Sequence, residues 1–165
     1  MEIEIIKFMQ MLQNDIFTNI AKFLEIIGDN GYLYFLIGFI MIFISKAKNG
    51  KMLIINLLIA AIIGVLLKEI VQRPRPFQTG LIFNFVPADL NESFPSGHVL
   101  MASVFVFYLK DIYPKLKYFL YVYLVLMVFS RIYLGVHYPT DTIFSIVLGM
   151  VIVYFTKKIF KNKKI

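Results

Sequence analysis

The sequence predicts an all-α integral membrane protein, a bundle of five transmembrane helices preceded by an amphipathic helix. Of its 165 residues, 59% are hydrophobic and the mean hydropathy is +0.77, whereas soluble domains are closer to half apolar. The apolar residues gather in five segments of roughly the length that crosses a bilayer. A chain of this size is expected to form one domain, so residues 1–165 are predicted to be a single membrane-embedded domain.

The N-terminal segment, residues 1–27, is predicted to be the amphipathic helix. Its apolar residues recur at helical spacing, and its charged and polar residues mark the opposite side. This pattern is typical of a helix that lies at the membrane interface or packs on a bundle; a sixth, weakly hydrophobic span is the alternative. The sequence GDNGY at 28–32 then ends the helix. The apolar positions are Ile5, Met9, Leu12, Ile16, Ile20, Phe23 and Ile27.

The bundle itself is predicted to occupy residues 28–156, followed by a basic tail at 157–165. About 20 mostly apolar residues cross the hydrocarbon core, and fewer suffice where the ends tolerate polar surroundings. The third span is short and is expected to extend into its polar flanks. The five predicted spans are 31–46, 52–71, 97–110, 117–136 and 140–156.

The positions of the basic residues predict the orientation of the bundle. The net charge is +7, and lysines crowd into the loop after the first span, the loop after the third span and the tail. Cytoplasmic loops are enriched in Lys and Arg, so these loops and the C-terminus are predicted to be cytoplasmic. Because the charge is explained by membrane orientation, no nucleic-acid partner is expected. The chain has no cysteine, so disulfides do not hold the fold.

Three polar blocks fall at the predicted outer ends of the spans, where the orientation rule does not call for positive charge. The first block is KEIVQRPRP at 68–76, the second is PSGH at 95–98, and the third is SRIYLGVHYPTD at 130–141. Both histidines of the chain and four basic residues, Lys68, Arg73, Arg75 and Arg131, lie in these blocks. Because Lys and Arg are disfavoured on the outer side of the membrane, a basic cluster there indicates a function.

The blocks contain the groups that bind phosphate. Lys68, Arg75 and Arg131 are three cations able to converge from helix ends and a loop; Arg offers a planar fork of donors and Lys a point charge. The second block opens a predicted helix, whose free N–H groups attract anions. Gly97 permits close approach of the backbone, and Ser96 either caps the helix or donates its hydroxyl.

The two histidines permit a two-step displacement at phosphorus. One neutral imidazole attacks the phosphorus atom while the other, as imidazolium, protonates the leaving oxygen. Asp141 lies four residues after His137, a spacing that allows its carboxylate to bind the far ring nitrogen and fix the tautomer. His98 is the second histidine.

Taken singly, these residues have ordinary interpretations. Lys68, Arg73 and Arg75 at the end of a span are suited to reach lipid headgroups. Ser96 before an apolar run is commonly a simple N-cap, and Asp141 stabilises the first turn of a helix. These interpretations do not explain why the residues lie on one side of the membrane in this order.

The three blocks resemble the type 2 phosphatidic-acid phosphatase superfamily, which is marked by Lys-x6-Arg-Pro, Pro-Ser-Gly-His and Ser-Arg-x5-His-x3-Asp. All three motifs are present with unbroken spacing, and the resemblance covers about 28–156. It implies that His137 is the nucleophile that forms a phosphohistidine, that Asp141 orients it, and that His98 is the general acid and activates water. It also implies that no metal or other cofactor is needed. The phosphate cradle implied by the family consists of Lys68, Arg75, Ser96, Gly97 and Arg131.

The resemblance implies a membrane lipid phosphate as substrate, at the outer face of a bacterial plasma membrane. Compact bacterial members act on undecaprenyl diphosphate, phosphatidylglycerophosphate and lipid A, and phosphatidic acid is a further candidate. The loop at 77–93 is partly apolar and is suited to contact lipid chains, while its Asp89 and Glu92 are expected to be solvated.

Three alternatives share parts of this pattern. A phosphotransferase would pass the phosphoryl group to a lipid or sugar instead of water. A membrane transporter or anion binder would need the cations but not the two histidines and the aspartate. A soluble relative that binds vanadate would not need five lipid-length apolar segments.

Overall fold

The computed structural model describes residues 1–44, 47–86 and 91–160, and every regular element in them is helical. Short 3-10 turns at Asp29–Gly31, Pro76–Thr79 and Pro114–Leu116 join several of the helices. The seven α-helices are α1 (Glu2–Met11), α2 (Asp15–Gly28), α3 (Tyr32–Ile44), α4 (Ala47–Val71), α5 (Gly97–Ile112), α6 (Lys117–Tyr133) and α7 (Pro139–Phe160).

The N-terminal segment forms two helices instead of the single one predicted. Asn14 is extended and its side-chain oxygen accepts a hydrogen bond from the N–H of Phe17 at 2.9 Å, so a favourable N-cap restarts the chain as α2. Both helices contact the C-terminal end of α6. Gln10 donates to the carbonyl of Tyr133 at 3.3 Å, and the hydroxyls of Thr18 and Tyr133 are 2.7 Å apart.

Among the described residues, four segments are long and apolar enough to cross a membrane. The first of them runs through α2 and α3 and therefore starts earlier than the span predicted at 31–46. Helix α5, predicted to be the third span, has only 16 residues and is not among the four. The five-span arrangement therefore stays a prediction. The four segments are Asp15–Ile44, Ala47–Thr79, Pro114–Tyr133 and Pro139–Phe160.

Helix α5 is the central helix of the bundle, and small residues set how closely its neighbours approach. A Cβ at Gly149 on α7 would lie 2.6 Å from the Cβ of Ser103 on α5. A Cβ at Gly50 on α4 would lie 2.5 Å from the carbonyl oxygen of Gly38 on α3. Close backbone contact through small residues is typical of helices packed in membranes. The first contact fixes α7 closely against α5, whose N-terminus carries the second block, and the other holds α3 against α4.

Candidate phosphate-binding active site

The structure brings the three blocks together at one end of the bundle. Helix α4 ends at Val71 and is followed by the basic end of the first block, the second block opens α5, and residues 134–138 of the third block join α6 to α7. A cavity of about 250 Å3 lies between them. Its charged and titratable lining residues are Glu25, Asp29, Lys68, Arg75, His98, Arg131 and His137.

A tight turn after α6 delivers His137 to this cavity. Gly135 has a φ of +75°, a conformation that side chains disfavour, and a Cβ there would lie 2.5 Å from the carbonyl oxygen of Phe83. The N–H of His137 then donates to the carbonyl of Arg131 at 3.3 Å. The turn therefore places the imidazole beside the guanidinium of the same block.

His137 is 2% exposed, and its surroundings fix its tautomer. Its Nδ1 is 2.7 Å from the carbonyl oxygen of Ser93; because a carbonyl only accepts, Nδ1 carries the proton and Nε2 keeps its lone pair. Burial holds the pKa of His137 below its ordinary value, aided by Arg75 and Arg131 and opposed by Asp141. A neutral imidazole with a free Nε2 is the form that a nucleophile requires.

Asp141 lies next to His137 but does not make the direct hydrogen bond that the spacing suggests. Its Oδ2 is 3.8 Å from Nδ1. That oxygen accepts instead from the hydroxyl of Ser93 at 2.5 Å and from the N–H of Tyr138 at 2.9 Å. Ser93 thus stands between the two, since its carbonyl holds the imidazole and its hydroxyl holds the carboxylate. The role of Asp141 as orienting partner stays a prediction.

Arg73, whose place the motif did not define, holds the other oxygen of Asp141. Its Nη1 is 2.6 Å from Oδ1 of Asp141 and 2.7 Å from the hydroxyl of Thr140. Its Nη2 is 2.7 Å from a carboxylate oxygen of Glu2 at the start of α1, and the guanidinium lies 3.7 Å from the ring centre of Tyr138. The guanidinium therefore ties the N-terminus of the chain to the start of α7.

Lys68 and Arg75 are held by backbone oxygens of the segment that precedes α5 and of the turn that follows α6. Arg75 donates from Nε to the carbonyl of Asn91 at 2.9 Å and from Nη1 to the carbonyl of Val136 at 3.3 Å. The ammonium of Lys68 donates to the carbonyl of Glu92. Glu92, expected only to be solvated, thus positions a cation through its main chain; Asp89 lies outside the described residues.

Two buried donors of the phosphate cradle have no hydrogen-bond partner in the described part of the chain, namely Ser96 Oγ and Arg131 Nε. Ser96 precedes α5 but makes no side-chain capping bond, so the cap interpretation does not account for it. An unsatisfied buried donor costs about 1–3 kcal/mol. Such exceptions call for an explanation, and an anion bound in the cavity would supply acceptors for both.

Helix α2 contributes to the site as well, although the sequence pattern placed it outside the bundle. The carboxylate of Glu25 binds the guanidinium of Arg131, and its backbone carbonyl lies 3.1 Å from Nε2 of His98. The sequence gives no motif that marks Glu25, Arg73 or Ser93. Glu25 was identifiable only as part of the polar face of an amphipathic helix.

No group of three or more His, Asp and Glu side chains placed to hold a metal ion occurs within 1–44, 47–86 and 91–160. The site is instead built from cations, two imidazoles, helix-end N–H groups and a carboxylate that is already saturated by donors. These groups are suited to bind an oxyanion and to transfer protons.

Comparison with known proteins shows that the relatives of this chain are membrane phosphatases. The candidate spans described above agree with a membrane protein. The chain belongs to the PAP2 superfamily, whose sequence profile matches residues 50–165. The predicted resemblance is thereby confirmed.

The sequence relatives carry different substrate names. An undecaprenyl-diphosphatase of Sulfolobus acidocaldarius is 34% identical over 67% of this chain and 54% of its own length. Phosphatidylglycerophosphatase B of Bacillus subtilis is 28% identical over 87% of this chain and 73% of its own length. A lipid A 1-phosphatase of Rhizobium johnstonii is 28% identical over 61% of this chain and 43% of its own length. The chain thus spans about half the length of two of these three proteins.

Two crystal structures share the fold over nearly the whole chain. One is a transmembrane PAP2-type phosphatidylglycerolphosphate phosphatase from Bacillus subtilis, with a TM-score of 0.82, 25% identity and coverage of 99% of this chain and 86% of the other. The second is LpxE of Aquifex aeolicus, with a TM-score of 0.84, 25% identity and coverage of 95% and 94%.

Proposed function

We propose that the protein is a metal-independent phosphatase that hydrolyses a phosphate monoester or diphosphate of a membrane lipid through a phosphohistidine intermediate. The observation that carries this proposal is the state of His137, whose Nδ1 is held on a carbonyl at 2.7 Å while Nε2 remains for chemistry beside the phosphate cradle. The family relationship supports the same reaction class.

The first step forms the phosphoenzyme. The lone pair of Nε2 of His137 attacks phosphorus, the bond from phosphorus to the leaving oxygen breaks, and the imidazolium of His98 gives that oxygen its proton. In the second step the now neutral His98 takes a proton from water, whose oxygen attacks phosphorus. The bond from phosphorus to nitrogen breaks, phosphate leaves, and both histidines return to their starting states.

The phosphate cradle stabilises the charge that spreads over the phosphoryl oxygens in both steps. Lys68, Arg75 and Arg131 all line the cavity, and fixed cations in a site closed to bulk water are usually the largest contribution to such transfers. The buried, unpartnered Ser96 Oγ and Arg131 Nε gain acceptors when the phosphoryl group binds. The cradle therefore becomes fully hydrogen-bonded only with substrate present.

The proposed membrane arrangement has five spans, with α1 and α2 as an amphipathic segment packed on the outer end of the bundle. The lysine distribution supports an outer active site and a cytoplasmic C-terminus. Large apolar side chains are exposed along α3, α4 and α7, a surface that suits lipid chains. They include Phe39, Phe43, Ile62, Val65, Phe155 and Ile159.

The proposed substrate is a lipid phosphate because the relatives are named for undecaprenyl diphosphate, phosphatidylglycerophosphate and lipid A. The headgroup would enter the cavity while the chains stay in the bilayer. The panel for identifying the lipid therefore consists of these three compounds and phosphatidic acid.

The test is release of inorganic phosphate by the purified protein in detergent with excess chelator, across this panel. We expect release from at least one lipid, loss of that release in His137→Ala, and normal release in Lys22→Gln, a change at an exposed position of α2. Transfer of the phosphoryl group to an added alcohol, with no release of inorganic phosphate, would favour the phosphotransferase. No release from any lipid, or equal release by His137→Ala, would refute the proposed function.

A further inference from the structure

The last turn of α2 lies directly against the imidazole of His98. The Nε2 atom is 3.1 Å from the carbonyl oxygen of Glu25. Glu25 is among the last four residues of α2, whose carbonyls have no partner within the helix, and the N–H of Asp29 bonds to the carbonyl of Ile26 instead. The ring of His98 therefore satisfies an acceptor that the helix end leaves open, and Nε2 carries a proton to do so.

Gly28, at the end of the same turn, sets how closely the ring can pack. A Cβ at Gly28 would overlap Cδ2 of His98 and lie 3.2 Å from its Cγ and 3.1 Å from Cε of Met127. The imidazole thus packs directly against the backbone of Gly28, and any side chain at position 28 would displace it. The contact restricts rotation of the ring from the side that faces α2.

The charges around His98 are mixed, and the turn supplies negative charge on one side of the ring. The Oε1 atom of Glu25 is 3.9 Å from Nε2, and the C-terminal end of a helix carries a partial negative charge. Both stabilise the imidazolium form that a proton donor needs, and so offset part of the repulsion from nearby cations and the effect of burial. The other charged groups around the ring are Asp29, Lys68, Arg75 and Arg131.

From these contacts we propose that the C-terminal turn of α2, Glu25 to Gly28, is a positioning element for the proton donor of the reaction. The inference rests on the proposed phosphatase mechanism. Because Nε2–H stays on the carbonyl of Glu25, Nδ1 is the nitrogen that exchanges protons. It gives its proton to the leaving oxygen as that bond to phosphorus breaks, and it regains a proton from water in the second step.

The same turn also joins the donor to the phosphate cradle. The carboxylate of Glu25 binds the guanidinium of Arg131, which is 2% exposed. A single residue of α2 thus contacts both the group that protonates the leaving oxygen and a group that binds the phosphoryl oxygens. Helix α2 is therefore part of the wall of the site.

The test compares two soluble substrates that differ in their need for a proton. The nitrophenolate of nitrophenyl phosphate departs readily without a proton. The alkoxide of a short-chain alkyl phosphate must be protonated as it departs. Gly28→Ala is expected to lower kcat/KM, which reports the steps up to departure of the alcohol, for the alkyl substrate by on the order of 100-fold, the share that general acid catalysis commonly supplies. The kcat/KM for nitrophenyl phosphate should fall far less. His98→Ala, the reference variant, should give the same pattern.

A second variant keeps the inference testable where Gly28→Ala does not fold, as judged by gel filtration in detergent. Glu25→Gln removes the charge but keeps the helix; its effect through Arg131 acts on both substrates alike, so only the difference between substrates reports on His98. We expect a roughly tenfold larger loss for the alkyl substrate, and none for the matched change Lys22→Gln.

A loss that depends on the leaving group, in either variant, supports the inference. Equal loss with both substrates, or no loss, in every folded variant would overturn it. If the wild-type protein released phosphate from neither these substrates nor any lipid of the panel, or His137→Ala remained active, the proposed function itself would fail and the inference with it.

Discussion

Replacing Arg73 by alanine tests whether the N-terminal helix stabilises the active site. The guanidinium contacts Asp141, which is fully buried, and Glu2 and Thr140 on its other side. It also lies over the ring of Tyr138 at 3.7 Å. Arg73→Ala removes all of these contacts at once and leaves the carboxylate of Asp141 with Ser93 and backbone as its donors.

The expected cost follows from the exposure of each contact. A hydrogen bond to a buried charged group is worth about 1.5–3 kcal/mol, and the stacking on Tyr138 about 0.5–1 kcal/mol. The pair with Glu2 is partly exposed, at 27% and 29%, and contributes about 0–1 kcal/mol. The free energy of unfolding should therefore fall by about 2–5 kcal/mol, and the unfolding temperature by roughly 4–20 °C at about 2–4 °C per kcal/mol.

The assay is thermal unfolding in detergent together with phosphate release at a fixed low temperature. Arg73→Lys, which keeps the charge but loses the planar fork, should fall between wild type and Arg73→Ala. Lys22→Gln, at an exposed position of α2, should match wild type. Unfolding of Arg73→Ala at the wild-type temperature would show that this network does not stabilise the fold.

Three further changes have expected outcomes. Ser96→Ala removes a buried hydroxyl without a partner, so the unfolding temperature should stay the same or rise while inhibition by inorganic phosphate weakens several-fold; lower stability would contradict this. Gly50→Ala places a Cβ 2.5 Å from backbone and should destabilise the α3–α4 contact by about 1–3 kcal/mol, whereas Gly64→Ala meets only a flexible side-chain end at 3.3 Å and should be tolerated; equal unfolding temperatures would refute the packing argument. Thr156→Val should cost about 1–3 kcal/mol because Asn56, whose Oδ1 accepts from Thr156 at 2.5 Å, loses its partner; a stability unchanged from wild type would count against it.

The all-helical class and the positions of the later helices followed from hydropathy because lipid-length apolar segments have few other structures open to them. The predicted spans at 52–71 and 117–136 correspond to helices Ala47–Val71 and Lys117–Tyr133. The break at Asn14 was not predicted, because the apolar residues keep the same helical spacing before and after it. Only the N-cap of the second helix marks the break. Composition does not decide whether α5 spans the membrane, because a short buried helix and a transmembrane helix are similarly apolar.

The motif spacing predicted that the three blocks meet, and they line one cavity. It did not predict Ser93, which lies between His137 and Asp141, or Glu25, which comes from a helix distant in sequence. Both act through contacts that depend on tertiary packing: a main-chain carbonyl in one case and a helix end in the other. Neither leaves a spacing pattern in the sequence, so only the folded chain shows them.

The most direct test of the phosphohistidine mechanism is to trap the phosphoenzyme. The protein is mixed with nitrophenyl phosphate carrying a radiolabelled phosphoryl group and quenched within one turnover. We predict label bound to the protein that is stable in base and labile in acid, as a phosphoramidate is. It should be absent in His137→Ala and should accumulate in His98→Ala, where water is no longer activated. Label that persists in His137→Ala, or phosphate release with no labelled protein at any time, would contradict the phosphohistidine mechanism.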